Sequence, residues 1–295
     1  MFIVEYLEYL RLEKKYSPHT VQAYESDIRE WVRHQNIQCI TSSQILTYRN
    51  IRPWIIHLVD KKLSSRTINR KVASLNNYFK FLIKVKVLEE NPLASHIPLK
   101  VAKRVQSPFT VEEIEKALYF AEEDMSTYEG MRDRTIIELL YVTGMRRSEL
   151  IGLQKENLDL SNGRIKVLGK RNKERFIPLL TSIRSILEDY VVVRDEKFGM
   201  HNSYLFLTGR GVKMYDKLVY RVINSYFSKA STKVKQSPHM LRHAFATHLL
   251  NQGADLNSVK ELLGHESLAA TQVYTHSSIA QLSKVYKKSH PRSLD

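Results

Sequence analysis

The stretch SPHMLRHAFATHLL, residues 237–250, predicts a helix with a charged side and an apolar side. Ser237 is a typical N-cap residue, and Pro238 suits the first helical position. The helical period places three apolar residues on a common side that faces a core: Ala244, Phe245 and Leu249. Similar patterns recur along the chain, so the predicted fold class is mainly α.

The polar side of this helix could serve a metal, a packed core or an anion. Helical zinc sites of the His-Glu-x-x-His kind place a glutamate beside a histidine, whereas this stretch has Met240 and Arg242 there. A guanidinium repels a dication, which excludes the metal interpretation. His239 and Arg242 lie at a helix N-terminus, where free amides and the helix dipole favour an anion. We interpret the site as a phosphate cage, while His243 and His248 are more often structural than catalytic.

The charge balance indicates the kind of partner. The chain has 295 residues, with 46 Lys and Arg against 31 Asp and Glu, so its net charge is +15. This exceeds the ~2–8 charges that usually suffice for solubility, and it favours nucleic acid over an anionic membrane. Cys39 is the only cysteine, which excludes an intrachain disulfide and a cysteine-based zinc site. No stretch approaches ~18 consecutive apolar residues, and we expect a cytoplasmic, nucleoid-associated protein.

The chain is predicted to form two domains, 1–90 and 109–295, joined by a linker at 91–108. In the first, YSPHTVQAYESDIREWV (16–32) and LSSRTINRKVASLNNYFKFLIKVKVL (63–88) each carry an apolar stripe at helical spacing. The linker contains several prolines and ends in a basic patch. The second domain begins with the capping-box spacing of Thr110 and Glu113. It also contains GRIKVLGKRNKERFIPL (163–179), which predicts a β-hairpin.

Further motifs add groups that suit phosphoryl transfer to a tyrosine. TGMRRSEL (143–150) has an arginine after a helix stop, the hairpin turn has a lysine, and GHESLAATQVYTH (264–276) has a histidine and a tyrosine. Guanidiniums can bind phosphate oxygens, histidine can accept the phenol proton, and lysine can protonate the departing alkoxide. The candidate catalytic residues are Arg146, Lys170, His239, Arg242, His265 and the nucleophile Tyr274, with no carboxylate among them.

Basic residues in several places are candidates for DNA contacts. The helix at 63–88 has a basic face with no acidic residue in the sequence until Glu89, and two candidate catalytic residues are each followed by an arginine. The predicted DNA-binding residues are Arg66, Arg70, Lys71, Lys103, Arg104, Arg147 and Arg171. The alternative is that such a charged face is simply solvated.

These motifs resemble the tyrosine recombinase (phage integrase) family, and specifically its bacterial Xer branch. The family patterns TG-x-R-x-SEL, GK-x-NKER-x-(I/V)-P-L, PH-x-LRH-x-FATHLL and LGH-x-x-x-x-T-x-x-YTH occur here in order, with all six catalytic positions filled. Residues 16–27 also match the family's core-binding domain. Two departures are Arg171, where the family usually has glycine, and Arg147 after the first arginine.

The resemblance implies an N-terminal helical, SAM-like core-binding domain and an α-rich catalytic domain with a small β-hairpin or sheet. It implies that Tyr274 attacks a DNA phosphate and leaves a 3′-phosphotyrosine and a free 5′-hydroxyl, without metal, cofactor or ATP. The implied partners are a double-stranded recombination site, a second Xer-type recombinase or a second copy in a tetrameric synapse, and an FtsK-type DNA translocase. The implied role is resolution of chromosome dimers at division. A mobile-element integrase, a tyrosine topoisomerase and a non-catalytic DNA-binding relative are the alternatives.

The segment after Tyr274 carries an apolar stripe formed by Ile279, Leu282, Val285 and Tyr286. One hypothesis, suggested by the family, is that this terminal helix docks on a neighbouring protomer. The alternative is that it packs on its own domain.

Overall fold

The structure is a computed structural model that describes residues 2–35, 46–102, 107–169, 173–233, 235–264, 285–286 and 288–293. The chain divides into two compact units, Met1–Val105 and Gln106–Asp295. Each unit has its own hydrophobic core. Helices dominate both units, which confirms the predicted fold class. Within the described ranges, no helix combines the length and the apolar composition that crossing a membrane requires.

The first unit is built from helices α1 (Ile3–Leu12), α2 (Pro18–His34), α3 (Tyr48–Asp60) and α4 (Ser65–Lys84). Helix α2 begins as predicted, because the Ser17 hydroxyl accepts a hydrogen bond from the Thr20 amide. The predicted apolar stripes of α2 and α4 are buried in the core of this unit. Leu93 is buried in the same core, and the Asn69 side chain exchanges two hydrogen bonds with the Leu99 backbone. Part of the predicted linker therefore packs on the first unit.

The α-helices of the second unit, within its described part, are α5 (Val111–Glu123), α6 (Tyr128–Thr143), α7 (Arg147–Gly152), α8 (Thr181–Phe198), α9 (Asp216–Ala230), α10 (Pro238–Asn251) and α11 (Leu256–Leu263). Its sheet is β1 (Leu158–Asp159), β2 (Arg164–Leu168) and β3 (Glu174–Pro178), antiparallel in the order β1-β2-β3. Strands β2 and β3 confirm the predicted hairpin. The predicted capping box at the start of α5 is also present, with both of its hydrogen bonds.

Helix α6 is the central helix of the second unit and is buried on nearly all sides. It ends at Gly144, whose φ of 57° lies in the left-handed region that favours glycine. A Cβ at Gly144 would lie 2.3 Å from Cδ1 of Phe245 on α10, so glycine also permits the close packing of the two helices. The chain thus turns sharply after α6 and leads directly into Arg146.

Tyr286, near the end of the chain, packs against α6 and α10. Tyr286 is fully buried, and its hydroxyl donates a hydrogen bond to the Val142 carbonyl near the end of α6. Val285 packs against the same core. For these two residues the structure has the predicted alternative, packing on their own domain, while Ile279 and Leu282 lie outside the described residues.

Candidate active site

Arg146 is held by the first turn of α7. It is the N-cap residue of that helix, and its backbone amide donates to Oε2 of Glu149 at 2.7 Å. Its Nη1 donates to Oε1 of Glu149 at 2.8 Å, and its Nη2 donates to the Gly264 carbonyl at 3.0 Å. The side chain remains 35% exposed, so it is restrained and still accessible to a ligand.

Arg242 lies beside Arg146 on the buried face of α10. Its Nη1 donates to the Gly144 carbonyl and its Nη2 to the Leu263 carbonyl, each at 2.7 Å. The two arginines therefore bind successive carbonyls, those of Leu263 and Gly264, at the end of α11. Burial and, after it, the nearby charge of Arg146 lower the pKa of Arg242 to about 10. The Arg242 guanidinium remains cationic at neutral pH, and it repels that of Arg146.

His239 occupies the first turn of α10 and is exposed. Burial of part of its ring, then the charges of Arg242 and Lys235, lower the pKa of His239. The imidazole is accordingly neutral at pH 7 and can accept a proton. The prediction that Ser237 caps this helix is wrong in its hydrogen bond. Ser237 stands at the N-cap position, but its buried hydroxyl makes no capping bond and has no partner among the described residues.

The sequence interpretation missed two residues of the site, Glu149 and Arg175. It expected no carboxylate there. Glu149 accepts hydrogen bonds from Arg146, and also from both terminal nitrogens of Arg175 at 2.8 and 2.9 Å. Burial alone would raise the pKa of Glu149, but the hydrogen bonds from Arg175 and Arg146 outweigh burial and hold it below its ordinary value. The signals were present, since Glu149 has capping-box spacing from Arg146 and Arg175 belongs to the NKER motif.

The described part of the site carries more positive than negative charge. It combines the guanidiniums of Arg146, Arg175 and Arg242 with a single carboxylate, that of Glu149. A partly buried net positive charge destabilises the folded protein unless an anion offsets it. No group of potential metal ligands occurs among the residues that the structure describes. The arrangement therefore suits a phosphate held by bidentate guanidinium contacts.

The structure describes three of the six candidate catalytic residues, Arg146, Arg242 and His239. Arg146 and Arg242 both bind carbonyls at the end of α11, and His239 lies on the same helix as Arg242, three residues before it. Lys170, His265 and Tyr274 lie outside the described residues. The residues directly before two of them are described. Gly169 ends the first arm of the hairpin, and Gly264 ends helix α11 in a left-handed conformation with φ 62°.

The candidate DNA-binding residues differ in how far their charges are already engaged. Arg70 and Lys71 both form ion pairs with Asp27 of α2, and the Asp27 side chain is only 2% exposed. The basic face of α4 thus has an acidic neighbour in space that the sequence did not reveal. Arg66 is exposed, and Arg147 is 40% exposed while paired with Asp216. Three further candidates lie outside the described residues: Lys103, Arg104 and Arg171.

Comparison with known proteins identifies the family. The phage integrase family matches residues 108–281, and the N-terminal SAM-like domain of phage integrases matches residues 3–86. The chain belongs to the phage integrase family. It is 41% identical to the tyrosine recombinase XerC of Bacillus pumilus (strain SAFR-032), over 98% of this chain and 95% of that protein. It is 38% identical to the tyrosine recombinase XerC of Bacillus subtilis (strain 168), over 99% and 97% of the two chains.

Solved structures agree with this assignment. The XerH site-specific recombinase bound to difH substrate, in a pre-cleavage complex, has a TM-score of 0.68 and 25% identity, covering 90% of this chain and 78% of that chain. A lambda integrase(75-356) dimer bound to a COC′ core site has a TM-score of 0.69 and 19% identity, covering 96% and 94%, and so shares the fold. The predicted resemblance to Xer-type tyrosine recombinases is confirmed, and the chain is a site-specific DNA recombinase of the tyrosine type. The sequence also predicts that residues 282–292 resemble XerC more than XerD.

Proposed function

We propose that this recombinase cuts and rejoins DNA through a 3′-phosphotyrosine on Tyr274, with Arg146 and Arg242 as the phosphate clamp. The observation that supports this most directly is the placement of both guanidiniums on the successive carbonyls of Leu263 and Gly264. These carbonyls fix the two side chains without neutralising them. Arg146 also pairs with Glu149, but the three guanidiniums of the described site share that single carboxylate, so the site keeps a net positive charge that a phosphate can offset.

In this proposal each group has one chemical task. The two arginines bind the non-bridging oxygens of the scissile phosphate and offset the charge that develops in the transition state. His239, with its lowered pKa, is neutral and accepts a proton as the Tyr274 phenol attacks. Lys170 donates a proton to the departing 5′-oxygen, and His265 helps to bind the phosphate. The bond energy is conserved in the phosphotyrosine link, so a 5′-hydroxyl from a second strand reverses the reaction.

The cellular role we propose is resolution of chromosome dimers at division, in the cytoplasm where bacterial chromosomal DNA lies. Identity with XerC proteins over nearly the whole chain supports this role. The enzyme would act in a tetrameric synapse with an XerD-like second recombinase or with further copies of itself, and with an FtsK-type translocase. A mobile-element integrase is the second candidate, because integrases share the same fold.

A suicide DNA substrate, nicked so that the cleaved 5′ end diffuses away, tests the proposed chemistry. The wild-type chain should form a covalent protein–DNA adduct, and Tyr274→Phe should bind the same DNA with nearly unchanged affinity and form none. An adduct in the Phe variant would identify another nucleophile. Absence of an adduct in the wild type would favour a non-catalytic DNA-binding protein. Cleavage without exchange of strands between two duplexes would favour a topoisomerase.

A further inference from the structure

Arg175 on β3 is a third buried guanidinium at the site, and its role is not explained by phosphate binding. The residue is 4% exposed. Its two terminal nitrogens hold both oxygens of Glu149, at 2.8 and 2.9 Å, and its Nε donates to the Leu262 carbonyl at 3.1 Å. One side chain thereby connects the hairpin, the first turn of α7 and the last turn of α11.

The same guanidinium lies against the two glycines that precede predicted catalytic residues. A Cβ at Gly264, directly before His265, would lie 3.1 Å from both Cδ and Nη1 of Arg175. A Cβ at Gly169, directly before Lys170, would lie 3.6 Å from Nη1. Arg175 therefore sets the spacing between the hairpin turn and the end of α11.

Arg175 also limits how Glu149 can pair with Arg146. Oε1 of Glu149 accepts from Arg175 and from Nη1 of Arg146, and Oε2 accepts from Arg175 and from the Arg146 amide. Both oxygens are thus fully engaged, and Arg146 makes only one side-chain bond to Glu149. Its other terminal nitrogen reaches the Gly264 carbonyl instead. Without Arg175, the Arg146 guanidinium would be free to turn and form a two-pronged pair with Glu149, and it would then be lost to the phosphate.

We propose that Arg175 is a positioning residue of the recombinase active site, which acts by orienting Glu149 and Arg146 and by bracing the chain next to Lys170 and His265. This proposal rests on the catalytic roles proposed above. Lysine cannot replace arginine in this task, because an ammonium lacks the planar set of donors that meets a carboxylate and a carbonyl together.

The test uses the full chain, with Arg175→Lys and Arg175→Met, in single-turnover cleavage of the suicide substrate. Removal of a group that orients a metal ligand typically costs roughly 10–100-fold in activity. Because Arg175 orients Arg146 in the same way, we expect a loss of this size in cleavage rate with DNA affinity nearly unchanged. A second substrate carries a methylphosphonate at the scissile position, so its phosphorus centre has no negative charge. Most of the loss should disappear on that substrate, because little charge remains for Arg146 to offset.

Arg164→Lys is the matched control. Arg164 lies on the adjacent strand β2, pairs with Asp159 and stacks on Phe176, away from Glu149. This variant should cleave both substrates at the wild-type rate. Glu149→Gln provides a second route to the same question, and its effect should not add to that of Arg175→Met, since both act through Arg146.

Several results would overturn the proposal. If the Arg175 variants lose the same factor in cleavage rate on the charged and the neutral substrate, Arg175 only supports the fold. A lower thermal midpoint with a normal cleavage rate would lead to the same conclusion. Full activity in Arg175→Met would do the same. A wild-type chain that forms no adduct would instead refute the proposed function, and the positioning role with it, so the two failures are distinguishable.

Discussion

Acid should destabilise the second unit through His290, which is buried near the end of the chain. The residue is 1% exposed, its ring centre lies 4.9 Å from that of Tyr141, and its Nδ1 accepts a hydrogen bond from the Arg292 amide at 3.1 Å. Burial, together with the charges of His248 and Arg292, outweighs a hydrogen bond to the Tyr141 backbone and lowers the pKa of His290 to about 3. Protonation would both charge a buried ring and remove the acceptor for the Arg292 amide.

The sign and size of the effect follow from linkage. The unfolded chain takes up the proton near pH 6.5, while the folded chain does so only near pH 3, so the unfolded state binds more protons between these values. The stability that the neutral histidine contributes is complete above about pH 6.5 and is lost as the pH falls. The loss is about 2 kcal/mol between pH 7 and pH 5, and at most roughly 5 kcal/mol in full.

The measurement compares wild type with His290→Leu in urea at pH 7 and pH 5, with amide hydrogen exchange in α6 and α10 as the probe. We expect the wild type to lose about 2 kcal/mol more of its unfolding free energy than the variant does. The two tryptophans, Trp31 and Trp54, both lie in the first unit, so their fluorescence provides an internal control that the substitution should not affect. Equal losses in the two proteins would refute the buried neutral histidine.

Three further outcomes are expected. Arg146→Ala or Arg242→Ala should slow cleavage of the suicide substrate by roughly 100–1,000-fold, because each guanidinium stabilises charge that develops in the transition state. DNA affinity, measured by a binding titration, should change little. Equal losses in cleavage rate and DNA affinity would contradict this. Lys170→Ala should be rescued by a 5′-bridging sulfur, which departs without protonation, and failure of the rescue would assign the general acid to a histidine. Tyr286→Ala should cost the second unit about 3–5 kcal/mol in urea unfolding, and a loss below about 1 kcal/mol would mean that the ring is not in the core.

Local features of the fold were predictable from the sequence because neighbouring residues determine them. The Ser17 cap, the Thr110 capping box and the hairpin at 163–179 each depend on residues a few positions apart. The buried stripe of α4 follows from helical spacing alone. The motif around Gly144 likewise identified a helix stop, which the left-handed conformation confirms.

The contacts between distant segments were not predictable in this way. Arg175 meets Glu149 from 26 positions away, and nothing in either local pattern indicates that the hairpin and α7 converge. The pairing of Lys71 with Asp27, across 44 positions, has the same origin. A basic helix face in a sequence therefore indicates a DNA contact only after the opposing helix is known. This leaves Arg66, which is exposed, and Arg147, whose side chain is 40% exposed, as better candidates than Lys71, whose side chain is 12% exposed.

The packing of Tyr286 changes how the protomer-docking hypothesis must be tested. Its hydroxyl binds the Val142 carbonyl, and Arg242, which we propose to be catalytic, binds the Gly144 carbonyl, so Tyr286 and Arg242 both contact the C-terminal end of α6. Truncation after residue 277 would remove Tyr286 and disturb this turn, and it would therefore abolish cleavage whether or not the segment docks on a neighbour. Leu282→Asp keeps Tyr286 in place and changes only the stripe. If the segment docks on a neighbouring protomer, this variant should still bind one duplex and form the Tyr274 adduct, but it should lose cooperative binding and strand exchange.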